Sequence, residues 1–173
     1  QGLVANLQIN TWTNLIANTF CPEDTAVRTF ANITNPFALN WLRQDPQGIA
    51  YARSIGLEQG FTERPSGECD QNTVLPTAIL SSPASGQTID GNISILGQVS
   101  ALDKFNRYQI EFAPAGSQAF SPVEGMPRTN QQPNPNSVLG TWNTTAVPDG
   151  QYDLRLSVIA NDGGFINSSV TVI

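Results

Sequence analysis

Histidine is absent from these 173 residues. That removes the side chain most often used as a general base and the commonest transition-metal ligand. Lysine occurs once, at Lys104, and the arginines are scattered along the chain. Nucleic-acid binding needs clustered cations to neutralise phosphates, and an anionic membrane surface makes the same demand. Both are excluded by a formal charge of −6 and a pI near 4.4. Charged residues are only 13% of the chain, so neutral Asn, Gln, Ser and Thr must supply much of the polar surface. No apolar run approaches the roughly 20 residues of a membrane-spanning helix. The opening Gln1-Gly2-Leu3-Val4 lacks the basic start and small-residue cleavage site of a secretory signal. It starts within a strand-like pattern, as a segment of a longer chain would.

Cysteine is also scarce, with only Cys21 and Cys69. Isolated cysteines stay as thiols in a reducing compartment and pair in an exported protein. A zinc site needs about four ligands, which two cysteines without histidine cannot supply. A Cys21–Cys69 disulfide is therefore expected. In the chain-entropy description it would stabilise by about 4 kcal/mol.

What is present is alternation. In Val147–Ala160, Pro148-Asp149-Gly150 is a turn signal. After it Tyr152, Leu154, Leu156 and Val158 alternate with Gln151, Asp153, Arg155 and Ser157, the pattern of a strand with one face in a core. A Tyr entering a strand just after a turn predicts a tyrosine corner at Tyr152, its hydroxyl bonded to backbone a few residues upstream. Other alternating runs are Ile93-to-Ala101 and Tyr108-to-Phe112, with further strands over Ala78–Ser81, Phe120–Val123, Val138–Thr144 and Phe165–Val172. A polar loop is expected over Gly125–Ser137. Such strands, separated by turn residues, predict an immunoglobulin-like antiparallel β-sandwich over 75–173.

Residues 1–74 read differently. Leu3–Ile9 and Leu15–Phe20 suggest a short hairpin with Trp12 in its exposed turn, and Thr25–Ile33 a further strand. Asn35-Pro36 and Asp45-Pro46 are two helix starts, each a capping side chain followed by Pro at the first helical position. Phe37, Ala38, Trp41 and Leu42 then fall on one face, and Gly56 follows the second helix. Trp41 and Tyr51 read either as a ligand platform or as packing between the helix pair and the hairpin. The fold class is thus mostly β, with a small α+β part over 1–74 followed by the sandwich.

Catalytic constellations are missing. There is no Gly-x-Ser-x-Gly elbow, no Gly-rich phosphate loop, and no Ser-x-x-Lys with Lys-Thr-Gly. Paired carboxylates for glycoside hydrolysis would have to come from Asp103, Glu111, Asp149, Asp153 and Asp162, all in turns or on outward strand faces. Asp103, Asp149 and Asp162 are also the only loop carboxylates to weigh for calcium, without the Asp-x-Asp-x-Asp spacing of a loop site. Asn32, Asn92, Asn143 and Asn167 match the glycosylation triplet, as chance allows in so Asn-rich a chain. The aromatics to weigh for carbohydrate contact are Trp142, Tyr108, Phe120 and Trp12, with Trp142 and Tyr108 expected in or beside the core and Trp12 at the surface. No catalytic residue, cofactor or metal is expected.

Two stretches resemble a family. Gln8–Asn18 (QINTWTNLIAN) followed by Phe20-Cys21-Pro22 resembles the segment after the transpeptidase domain of class A penicillin-binding proteins, with Asn14 where Gly is usual. Asn tolerates the left-handed conformation such a turn needs. The run Leu139–Thr145 with Pro148–Leu156 is similar to the immunoglobulin-like domain that ends many of these proteins. The resemblance implies an extracytoplasmic, cell-envelope setting and a non-catalytic C-terminal region of a peptidoglycan synthase. Such a region would position the enzyme or contact cell wall or partner proteins. None of the family's catalytic motifs maps onto this chain. The alternative is a carbohydrate- or surface-binding tail of another secreted bacterial enzyme. The acidic, polar surface fits a monomer.

Overall fold

The structure is a computed structural model that describes residues 2–173, and for 132–135 the backbone only. Gln1, the first residue of the opening found to lack secretory-signal features, lies outside the described residues. Contacts divide the chain into two compact units, Gln1–Val74 and Leu75–Ile173.

The first unit holds β1 (Val4–Asn10), β2 (Thr25–Ala31), α1 (Pro36–Gln44) and α2 (Pro46–Ser54). The expected hairpin between Leu3–Ile9 and Leu15–Phe20 forms only at its inner end, around Ile9 and Ile16. Along its length β1 pairs antiparallel with β2, from Val4 opposite Ala31 to Asn10 opposite Thr25. The intervening segment folds back through a single bridge between Ile9 and Ile16. Ile9 is paired on both sides, with Ile16 and with Ala26, and the ladder to β2 satisfies more of the backbone groups of β1. Asn14 takes φ 58° in the turn, the left-handed conformation expected of it.

Both helix starts are as the residues require. The Asn35 side chain accepts from the N–H groups of Phe37 and Ala38, and Asp45 accepts from Gln47 and Gly48, with Pro36 and Pro46 in the first turns. Asp45 also closes α1, its N–H donating to the Trp41 carbonyl. Gly56 follows α2 at φ 87°. The face expected of Phe37, Ala38, Trp41 and Leu42 is split, with Leu42 buried and Phe37 and Trp41 exposed. Leu39 and Leu42 are buried with Ala31, Ala52 and Leu57, and Val4, Ile33, Ile55 and Phe61 pack around them. Phe37 is 85% exposed.

The second unit contains β3 (Thr77–Ser82), β4 (Asn92–Ser100), β5 (Phe105–Pro114), β6 (Ser121–Pro122), β7 (Gln132–Asn143), β8 (Tyr152–Ala160) and β9 (Phe165–Val172). They form two antiparallel sheets, ordered β3-β4-β7 and β6-β5-β8-β9. The inward residues are those that alternate in the sequence: Ile95 and Val99 on β4, Tyr108 and Ile110 on β5, Leu154, Leu156 and Val158 on β8. Strand β7 starts at Gln132, inside the stretch expected as loop. It is bulged: Ile95 lies opposite Gly140 and Leu96 opposite Val138, leaving Leu139 as the extra residue. Strand β6 is a two-residue edge ending in Pro122, which cannot donate to a further strand. Gly97 is required by packing, because a Cβ there would collide with the Ile79 carbonyl of β3.

Candidate functional site

In the first unit the Cys21–Cys69 disulfide is formed, spanning 48 residues, as an oxidising compartment permits. Its Cys69 Sγ lies 4.0 Å from the hydroxyl of Thr13, in the turn that carries Trp12. That side chain, expected at the surface as a ligand contact, is only 4% exposed. Its indole Nε1 donates to Asp24 Oδ2 at 3.1 Å. Beneath it Asn10 is buried yet fully engaged. Its Oδ1 accepts from the N–H groups of Trp12 and Thr13 and from the Thr13 hydroxyl, and its Nδ2 donates to the Glu23 carbonyl at 3.0 Å. The polar neighbours Thr11, Thr13 and Asn14 made this turn read as solvated. The fold uses their polar groups to satisfy a buried corner instead, so Trp12 is structural.

Trp41 and Tyr51, on α1 and α2, are 42% and 43% exposed. Their ring centroids lie 6.1 Å apart with planes tilted by 41°. The other side of the helix pair has a cleft of about 320 Å³ lined by Leu42, Arg43, Ala52, Arg53 and Phe61. There Arg43 lies over the Phe61 ring at 5.2 Å and approaches Glu63 Oε1 at 3.4 Å. Phe37 is the residue whose exposure the sequence concealed. On α1 Phe37 and Trp41 share one stripe and Leu39 and Leu42 another, and packing with Ala31, Ala52 and Leu57 covers the aliphatic one.

In the second unit the Tyr152 hydroxyl donates to the Pro148 carbonyl at 2.9 Å, four residues upstream. Its ring meets Trp142 edge-on at 5.8 Å and Phe112 at 6.2 Å, and Phe112 stacks on Trp142 at 4.8 Å. Tyr108 and Trp142 are buried, as expected. Beside this aromatic group is a cleft of about 590 Å³, lined by Thr88, Asp90, Trp142, Asp149, Tyr152 and Ile173 among others.

Of the five carboxylates weighed for hydrolysis, Glu111, Asp153 and Asp162 are engaged in holding the fold. Glu111 Oε2 accepts from Arg155 Nη2 at 2.8 Å, and that guanidinium lies over the Phe120 ring at 3.8 Å. Asp153 is held below the usual carboxylate range by the Thr171 hydroxyl and the Gly116 N–H. Asp162 is lowered by the Gly164 N–H and by Lys104. A glycosidase acid needs its pKa raised, and Asp153 and Asp162 move the other way. Among the described residues no cluster of three or more His, Cys, Asp or Glu side chains is arranged to hold a metal. No helix among them is long and apolar enough to cross a membrane.

Compared with known proteins, the chain matches no family model, no curated protein and no solved structure.

Proposed function

We propose that this chain is a non-catalytic, extracytoplasmic module from the C-terminal region of a class A penicillin-binding protein, a peptidoglycan glycosyltransferase-transpeptidase. Its second unit would be an immunoglobulin-like sandwich, and its first a small disulfide-tied α+β unit. Its role would be to position the synthase or to contact cell wall or envelope proteins.

The observation that carries the reading is the Asn14 turn. At φ 58° Asn14 adopts the glycine-like conformation that the resembling motif needs, and the Cys-Pro that follows begins with a disulfide cysteine. The immunoglobulin-like assignment is supported by the strand orders β3-β4-β7 and β6-β5-β8-β9, with Tyr152 bonded to the carbonyl before the turn that leads into β8. A non-catalytic role is supported by the use of Glu111, Asp153 and Asp162 as structural acceptors. The alternative, a carbohydrate-binding tail of another secreted enzyme, draws support from the exposed Trp41 and Tyr51.

Labelling the full-length gene product with a fluorescent penicillin tests the parent. A covalent label on a polypeptide containing this chain is expected, and an unlabelled full-length product overturns the family reading. Cosedimentation of the purified chain with peptidoglycan sacculi separates wall contact from pure spacing.

A further inference from the structure

The face that α1 and α2 turn to solvent carries aromatic rings and neutral amides. We propose that this face is a glycan-binding platform for an uncharged chain of β-linked N-acetylhexosamines. Trp41 and Tyr51 stack on successive sugar rings, and Asn40, Gln44 and Gln47 bond hydroxyl and acetamido groups. The choice of sugar rests on the cell-wall reading above; the platform itself rests on geometry.

Phe37 and Trp41 are four residues apart on α1, as Gln47 and Tyr51 are on α2, so each pair shares a stripe. The 6.1 Å approach of Trp41 to Tyr51 joins the two stripes into one surface. Asn40, Gln44 and Gln47 are exposed, while the helices' charged side chains, Arg43 and Arg53, line the cleft with Leu42, Ala52 and Phe61. Polyanions therefore find no counter-charge on the aromatic face. A sugar ring combines an apolar C–H face with a rim of hydroxyls, which matches rings flanked by amides. The 41° tilt prevents one flat ring from covering both aromatics, whereas a chain that twists between successive sugars can meet each in turn.

Trp41 is also held in place without a ligand. Its backbone packs against Gly48, where a Cβ would collide with the Trp41 carbonyl and lie 3.0 Å from indole Cδ2. The crossing of the helices fixes the indole, so little ordering cost is left for binding.

Intrinsic fluorescence gives a selective reporter, because Trp12 and Trp142 are buried and Trp41 is exposed. The 173-residue chain is titrated with a soluble chitooligosaccharide, the probe for β-linked N-acetylhexosamine. A saturable change in emission is expected. Tyr51→Ala should weaken it about tenfold or more, with an unchanged melting temperature. Tyr51→Phe, which keeps the ring, should retain it. Three results overturn the proposal: no saturable response in the native chain, equal affinity in native and Tyr51→Ala proteins, or a self-association that the sugar does not compete for and that Trp41→Ala abolishes. The penicillin label on the full-length product reads the parent independently, so a wrong parent and a wrong platform give different patterns.

Discussion

The Tyr108 hydroxyl donates to the Leu139 carbonyl at 2.9 Å, joining the two sheets of the sandwich through the residue that the β7 bulge leaves without a ladder partner. Neither residue is exposed to solvent. Tyr108→Phe removes the donor and strands a buried carbonyl, which costs about 1–3 kcal/mol. Urea unfolding followed by the fluorescence of Trp142 measures it. A loss well below that range would mean that another group reaches the Leu139 carbonyl.

Burial also raises the Tyr108 phenol above its ordinary value of 10.0, against a smaller lowering by Arg128. The folded chain keeps this proton where the unfolded chain releases it. Stability from this group is therefore intact below pH 10.0 and declines as pH rises through the higher folded value. Melting temperatures across the alkaline range should fall more steeply for the native chain than for Tyr108→Phe. Parallel curves would show that Tyr108 is not the group responsible.

Asp153 has the opposite sign. The Thr171 hydroxyl and Gly116 N–H favour its ionised form and lower its pKa below 3.8. Its contribution is present above pH 3.8 and disappears as pH falls through the lower folded value. Asp153→Asn should be less stable than the native chain at neutral pH, with the gap closing in acid. A gap that persists at the acid end would assign the loss to packing.

Tyr152→Phe breaks only the bond to Pro148, at a site open to water, so about 0.5–1.5 kcal/mol is expected. The Trp142 and Phe112 contacts of the ring stay in place. Near-ultraviolet circular dichroism should be unchanged while the urea midpoint falls. A change in the dichroism would mean that the hydroxyl also positions the aromatic group.

Cys21→Ser frees the 48-residue loop between Cys21 and Cys69, a loss of about 4 kcal/mol in the chain-entropy description. The effect belongs to the unit that buries Trp12. Reduction of the native chain should mimic it. Hydrogen exchange should quicken around Asn10 and Trp12, with Leu154–Val158 still protected. Uniform deprotection of both units would refute the assignment.

Legibility in the sequence followed the range of the interaction. Strand β8 was readable because Tyr152, Leu154, Leu156 and Val158 repeat every second residue beside a Pro-Asp-Gly turn. The helix starts were readable because Asn35 and Asp45 bond their own next turn. The β1–β2 pairing was not, since Leu15–Phe20 offered a nearer apolar partner. Trp12 was expected at the surface and is buried, and Phe37 was grouped on one face with Leu42 although only Leu42 is covered.

Composition and local pattern alone determined that the chain is mostly β, acidic and without histidine chemistry, and where its turns and helix caps fall. These depend on residues within a few positions of one another. Tertiary structure decided which strand pairs with β1, that Trp12 is buried with its indole bonded to Asp24, and that Trp41 and Tyr51 stand together in solvent. Each of those follows from a choice among competing burial partners far apart in the chain. Side-chain periodicity sets how many faces an element has, but only packing sets which of them is covered.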